Sequence, residues 1–211
     1  AITGNSVVPA ADLEKLVQIQ SGQPLVQTAV NRAAIAVRDL YRSRGFTRAV
    51  VKNSVWEAPR NEGGGPDRRV MLDFTVTEGP RTLVSSVAFV GNTVLTGAEL
   101  NELMTTPPGR PYSESDVVAA RDRIDIEYRN RGYENVVVEP EVSLTDDGTR
   151  ADIRFAIAEG QQVIVDHVII MGNERTNTQT IERELLLKPG QPLGYSARIE
   201  SQQRLAALGL F

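Results

Sequence analysis

Apolar residues in this chain alternate with polar ones, then fall four apart, then alternate again, and the cycle is run more than twice. Thr82 to Val90 and Val163 to Met171 are rich in β-branched residues, with Val87 and Phe89 sharing a face as Val168 and Ile170 do. Both segments predict strands. The pairs Leu13/Val17, Leu100/Met104 and Ile181/Leu185 lie four residues apart, on one face of a short helix. Thr96 and Glu99 fit a capping box at the start of one copy. A longer helix is expected over Gln27 to Arg44 and Glu114 to Arg131. Its buried stripe is Val30, Val37 and Tyr41 in the first copy and Val117, Ile124 and Tyr128 in the second. Gly45 and Gly132 sit where a left-handed C-cap is needed, and Phe46 or Tyr133 then folds back.

Two further strands close each cycle. Val136 to Leu144 and Ala151 to Ile157 flank Asp146-Asp147-Gly148, a hairpin turn. In the first copy the turn is swollen to Asn61-Glu62-Gly63-Gly64-Gly65-Pro66-Asp67, expected to be a mobile loop. Leu72, Phe74 and Val76 alternate as Ile153, Phe155 and Ile157 do, the pattern of a sheet with one face on helices. The unit reads β-α-α-β-β, an α+β fold with a three-stranded mixed sheet packed on two helices.

The words repeat as well as the pattern. Gly4-Asn5, Gly91-Asn92 and Gly172-Asn173 are 87 and 81 residues apart, the size of a small domain with its own core. Pro24-Leu25, Pro111-Tyr112 and Pro192-Leu193 follow. Next come Tyr41-Arg42-Ser43-Arg44-Gly45-Phe46 and Tyr128-Arg129-Asn130-Arg131-Gly132-Tyr133, and then Glu78-Gly79 and Glu159-Gly160. The third copy answers with Leu208-Gly209-Leu210-Phe211 after a second helix about four residues shorter, close to one turn. Three units are therefore expected: 1–80 with an incomplete first strand, 81–160, and 161–211 as a partial unit without its hairpin. The chain reads as an excised piece of a longer protein.

Pro140 adds a constraint. Proline cannot donate to a ladder on both sides, so the second strand of each unit is expected at an open edge. The first copy has no proline between Thr47 and Ala58, so its edge could pair with an added strand over a longer run.

Bulk composition narrows the function classes. At 211 residues, with 41% hydrophobic and 24% charged residues, the chain has the composition of an ordinary globular protein. A net charge of −4 and a pI near 5.2 argue against broad nucleic-acid or anionic-lipid binding. The absence of cysteine rules out disulfides and thiolate chemistry and fits an oxidising compartment. His167, the single histidine, has no partners at ligand spacing and reads as a solvent-facing strand residue, with Asp166 pointing to the other face. Arg38, Arg42, Arg44, Arg121, Arg123, Arg129 and Arg131 read as solvated helix faces, favoured near helix C-termini. Gly63-Gly64-Gly65-Pro66 lacks the Lys-Ser/Thr and the helix of a phosphate loop. The Gly-x-x-Gly loop and basic face of a KH domain are missing too. The repeated residues are caps, turns and core, so no catalytic residue, metal site or cofactor is expected.

The β-α-α-β-β order, the strand-ending Gly-Asn, the helix-ending Tyr-x-x-x-Gly-Phe/Tyr, the closing Glu-Gly and the final Leu-Gly-Leu-Phe together resemble POTRA, the polypeptide-transport-associated domains. These precede the membrane barrel in BamA- and TamA-like outer-membrane assembly and secretion proteins. The resemblance implies a periplasmic arm that receives unfolded outer-membrane or secreted polypeptide, docks accessory lipoproteins and leads to a C-terminal barrel, with the third unit nearest it. It also implies contact by strand addition to the second-strand edge. The residues expected to carry that contact are Ala49, Val51, Asn53, Val55 and Trp56, with Val136 and Val138 as a shorter counterpart. The competing reading is that the valines face the helices, which leaves their backbone free to pair. A two-partner secretion transporter or a cell-division protein carrying such a unit is the alternative setting.

Overall fold

The computed structural model describes residues 1–58, 69–174 and 176–209. Two compact parts divide the chain. One is Ala1–Ser86 with Pro108–Asp116 and Ser143–Asp152; the other is Val87–Pro107 with Val117–Val142 and Ile153–Phe211.

The first repeat holds β1 (Ile2–Thr3), α1 (Ala10–Leu16), α2 (Gln27–Ser43), β2 (Val50–Glu57) and β3 (Val70–Thr77). The sheet order is β1-β3-β2, with β1 parallel and β2 antiparallel to β3. Val30, Ala33, Val37 and Tyr41 of α2 are buried, as are Leu13 of α1 and Phe74 and Val76 of β3. The helical period of the first set and the two-residue period of the last place one face of each element on a common core.

The second repeat supplies β4 (Leu83–Val90), α3 (Gly97–Glu102), α4 (Glu114–Asn130), β5 (Val137–Leu144) and β6 (Arg150–Ala158). Its sheet order, β4-β6-β5, matches the first. The expected stripe of Val117, Ile124 and Tyr128 is buried, as are Ile153, Phe155 and Ile157. The capping box at Thr96 and Glu99 forms with both of its hydrogen bonds.

The repeated words now have physical reasons. Gly4 and Gly91 adopt φ of +81° and +85°, and a Cβ on either would lie 2.1 Å from the carbonyl oxygen of Val76 or Ile157. Only glycine fits there. The asparagine beside it folds the next loop: Asn5, Asn92 and Asn173 donate from Nδ2 to the carbonyls of Val8, Leu95 and Thr176. At the end of α2, Gly45 N–H donates to Arg42 and Phe46 N–H to Tyr41, the two bonds of a Schellman motif. Tyr41 and Phe46 meet edge to face, as do Tyr128 and Tyr133 at the end of α4.

Each C-cap glycine also receives the chain that opens the following repeat. Within the first part, Thr82 N–H donates to Gly45 O at 2.7 Å; within the second, Val163 N–H donates to Gly132 O at 2.8 Å.

The third repeat departs from expectation. It forms α5 (Thr178–Glu184) and α6 (Tyr195–Ala207), but Val163 to Met171 is not a strand. Ile164 makes an isolated bridge with Pro192, the counterpart of Leu83 with Pro111, and regular pairing goes no further. A strand is defined by its partner, and beyond the bonds of Val163 and Val165 to the 190–193 loop no strand lies beside this segment among the described residues. The expected loop at Asn61 to Asp67 and the final Leu210-Phe211 lie outside the described residues.

Candidate functional site

The second strand of each repeat pairs on one side only, so β2 and β5 are edges of their sheets. The direction of the β2 backbone groups follows from two bonds. Ala58 N–H donates to Arg69 O at 2.9 Å, so Ala58 belongs to the hydrogen-bonded set facing β3. Phe74, opposite Asn53, instead turns its N–H towards the first strand, donating to Ala1 O at 2.8 Å. Hydrogen-bonded pairs alternate along an antiparallel ladder. Trp56, Ser54 and Lys52 therefore spend their backbone groups on β3, while Val51, Asn53 and Val55 direct theirs outward.

Side chains follow the same period. Val51, Asn53 and Val55 lie opposite Val76, Phe74 and Leu72 and share the helix-covered face. That cover thins along the strand: Ala49 is buried, Val51 is half-buried against the core, and Asn53 and Val55 are exposed. On the other face Trp56 lies opposite Met71, and each is 46% exposed. Side-chain contact at this edge is thus concentrated at Val55 and Trp56. Ala49 precedes β2, is buried, and spends its N–H on Phe46 O at 3.1 Å, so it offers a guest neither side chain nor donor.

In the second repeat Val136 and Val138 are both buried. The 87-residue spacing of the repeats puts Pro140 where the first has Asn53, at a position whose N–H would point outward. The ladder of β5 therefore loses nothing, while the open edge lacks a donor.

A second arrangement recurs in both repeats and had no role assigned from the sequence. Glu78 accepts from the backbone N–H groups of Ser6 and Val7, from the Ser6 hydroxyl, and from Tyr41 Oη at 2.9 Å. Glu159 accepts from Thr93, Val94 and Tyr128 in the same way, the last at 2.8 Å. Burial raises the Glu159 pKa, but these hydrogen bonds outweigh it and hold the carboxyl at about 2, below its ordinary 4.5. Glu78 is lowered by the same balance. Burial, then the carboxylate, pushes the Tyr41 and Tyr128 hydroxyls up. These carboxylates bind the last strand, the first loop and the long helix of each repeat. The signal in the sequence was the pairing of the repeated Tyr with the repeated Glu.

Other candidates resolve simply. His167 is exposed, and its Nδ1 lies 2.8 Å from Asp166, which does not point to the opposite face because the segment is not a strand. Among the described residues no group of His, Cys, Asp and Glu could hold a metal ion. Several helix arginines are ion-paired: Arg44 with Asp12, Arg129 with Asp125, and Arg131 with Glu127 and Glu99.

Comparison with known proteins agrees with this architecture. The POTRA family pattern, described as surface antigen variable number repeat, matches residues 1–79 and 82–160. The chain belongs to the POTRA family. It is 24% identical over 223 residues to the outer membrane protein assembly factor BamA of Neisseria meningitidis serogroup B, covering 99% of this chain and 26% of that one. A Treponema pallidum (strain Nichols) relative is 27% identical over 215 residues, covering 97% of this chain and 25% of its own length. The chain thus spans about a quarter of these relatives. The crystal structure of Haemophilus influenzae BamA POTRA3-5 has a similar fold, with a TM-score of 0.61 and 20% identity over all of this chain and 84% of that one.

Proposed function

We propose that this POTRA chain is part of the periplasmic arm of a BamA-type outer-membrane protein assembly factor, with a non-catalytic role. It holds extended polypeptide by strand addition to β2 and presents it to a C-terminal barrel, and accessory lipoproteins dock on the same arm. Its parts are two repeats, 1–80 and 81–160, and the opening of a third over 161–211. The observation that carries the reading is the open backbone of β2, where Val51, Asn53 and Val55 direct donors and acceptors outward with no proline among them. An extended chain satisfies such groups whatever its sequence, which suits a protein that handles many clients. The relationship to a BamA over nearly the whole chain supports the setting.

The test is amide NMR titration of the chain with an extended outer-membrane-protein peptide. Shifts along Ala49 to Trp56 are expected, with new amide protection at Val51, Asn53 and Val55. Asn53→Pro copies the second repeat, removes one outward donor and should weaken binding severalfold. Pro140→Asn should bring β5 into the response. Shifts confined to the helices, with Asn53→Pro silent, would remove strand addition from the account.

A further inference from the structure

The β2 edge differs from the β5 edge in charge as well as in proline. On the face away from the helices β2 presents Lys52, Ser54 and Trp56. The repeat spacing sets Glu139, Glu141 and Ser143 at those places on β5. Lys52 has no ion pair among the described residues. Glu141 pairs with Arg154 at 3.6 Å, and Glu139 stands exposed. Two edges of one fold thus carry opposite signs at the same position.

Geometry converts this difference into a preference. A strand adding antiparallel to β2 bonds to Val51, Asn53 and Val55, which makes those the hydrogen-bonded pairs. Lys52, Ser54 and Trp56 then fall in the intervening pairs, where facing side chains approach more closely. Whatever lies opposite Trp56 extends the row of Met71 and Trp56 across the sheet. The next residue along the guest lies opposite Val55, which is 41% exposed. Four residues after the first, a guest side chain meets Lys52.

We propose that β2 selects extended segments with two adjacent large apolar residues at the end beside Trp56 and Val55, followed by an acidic residue four positions after the first. This rests on the strand-addition reading above and adds a register and a direction to it. The apolar pair covers exposed hydrophobic surface on both faces of the strand end, and the acidic group neutralises Lys52. A guest with that charge is repelled at β5 by Glu139, so the two edges sort segments rather than compete for them.

Four synthetic peptides of equal length, titrated into the whole chain by amide NMR, test the proposal. One carries the matched pattern; one has lysine at the acidic position. One has serine in place of the apolar pair, and one moves the acidic residue to the third position after the first apolar residue, which puts it on the opposite face from Lys52. The matched peptide should bind about two- to fivefold more tightly than each of the others, the range expected of one favourable cross-strand pair. Lys52→Glu should reverse the preference between the acidic and basic peptides. Trp56→Ala should reduce the difference made by the apolar pair to the share that Val55 supplies. Both positions are exposed, so these variants keep the core. Equal affinities, or an acidic preference that survives Lys52→Glu, would overturn the register while leaving strand addition intact. Failure of every peptide to protect Val51, Asn53 and Val55 would overturn strand addition, and the selection with it.

Discussion

A carboxylate that ties three elements together should register in stability. Because the pKa of Glu159 is held at about 2 against its ordinary 4.5, folding favours its charged form. A depressed folded pKa contributes stability that is complete above the unfolded value and is lost as pH falls from about 4.5 towards 2. Urea midpoints measured across that range should fall for the unaltered chain, and fall less steeply for Glu159→Gln. At neutral pH Glu159→Gln should itself cost about 1 kcal/mol, a charged hydrogen-bond set discounted for partial exposure. Glu78→Gln should behave alike. The repeat made these residues visible in the sequence, but their partnership with Tyr41 and Tyr128 spans 37 and 31 positions and has no local signature. The capping box lies within four residues and was readable directly.

At the scale of the element, helices were the most readable because propensity, stripe and caps lie within each segment. Expected ends at Arg44 and Arg131 came within one residue of the observed Ser43 and Asn130. Strands depend on neighbours, and the alternating run from Val163 to Met171 shows how a correct period can still fail to give a strand. The edge position of the second strand was recoverable from Pro140 alone. Which edge side chains are buried was not, since that depends on where the helices stop covering the sheet. The C-cap glycines give the element-scale prediction. A Cβ at Gly45 would lie 2.7 Å from the Thr82 carbonyl oxygen, with φ at +95°. Gly45→Ala should cost about 2 kcal/mol or more by urea denaturation, joining left-handed strain to a clash. Gly22→Ala, with φ at +84° and open space around it, should pay only the strain, about 1 kcal/mol.

For the molecule as a whole, protection from hydrogen exchange should follow pairing. Amides of β3 and β6, each flanked by two strands, should exchange most slowly; those from Asp166 to Met171, beyond the Val165–Gln191 bond, should exchange fastest outside the loops. Ile169 and Met171, 66% and 84% exposed, mark that segment as weakly held. Uniform protection across the three repeats would contradict this ranking. The alternation within β2 carries a broader consequence. The residues whose backbone is offered to a guest lie on the helix-covered face, where Val51 packs against the core, while Lys52, Ser54 and Trp56 offer side chains only. Backbone capacity is therefore tied to folding, whereas preference is written on solvent-facing positions. Substitutions there could retune what the edge accepts over successive generations at little cost in stability, and duplicated repeats could diverge in taste while remaining identical in form.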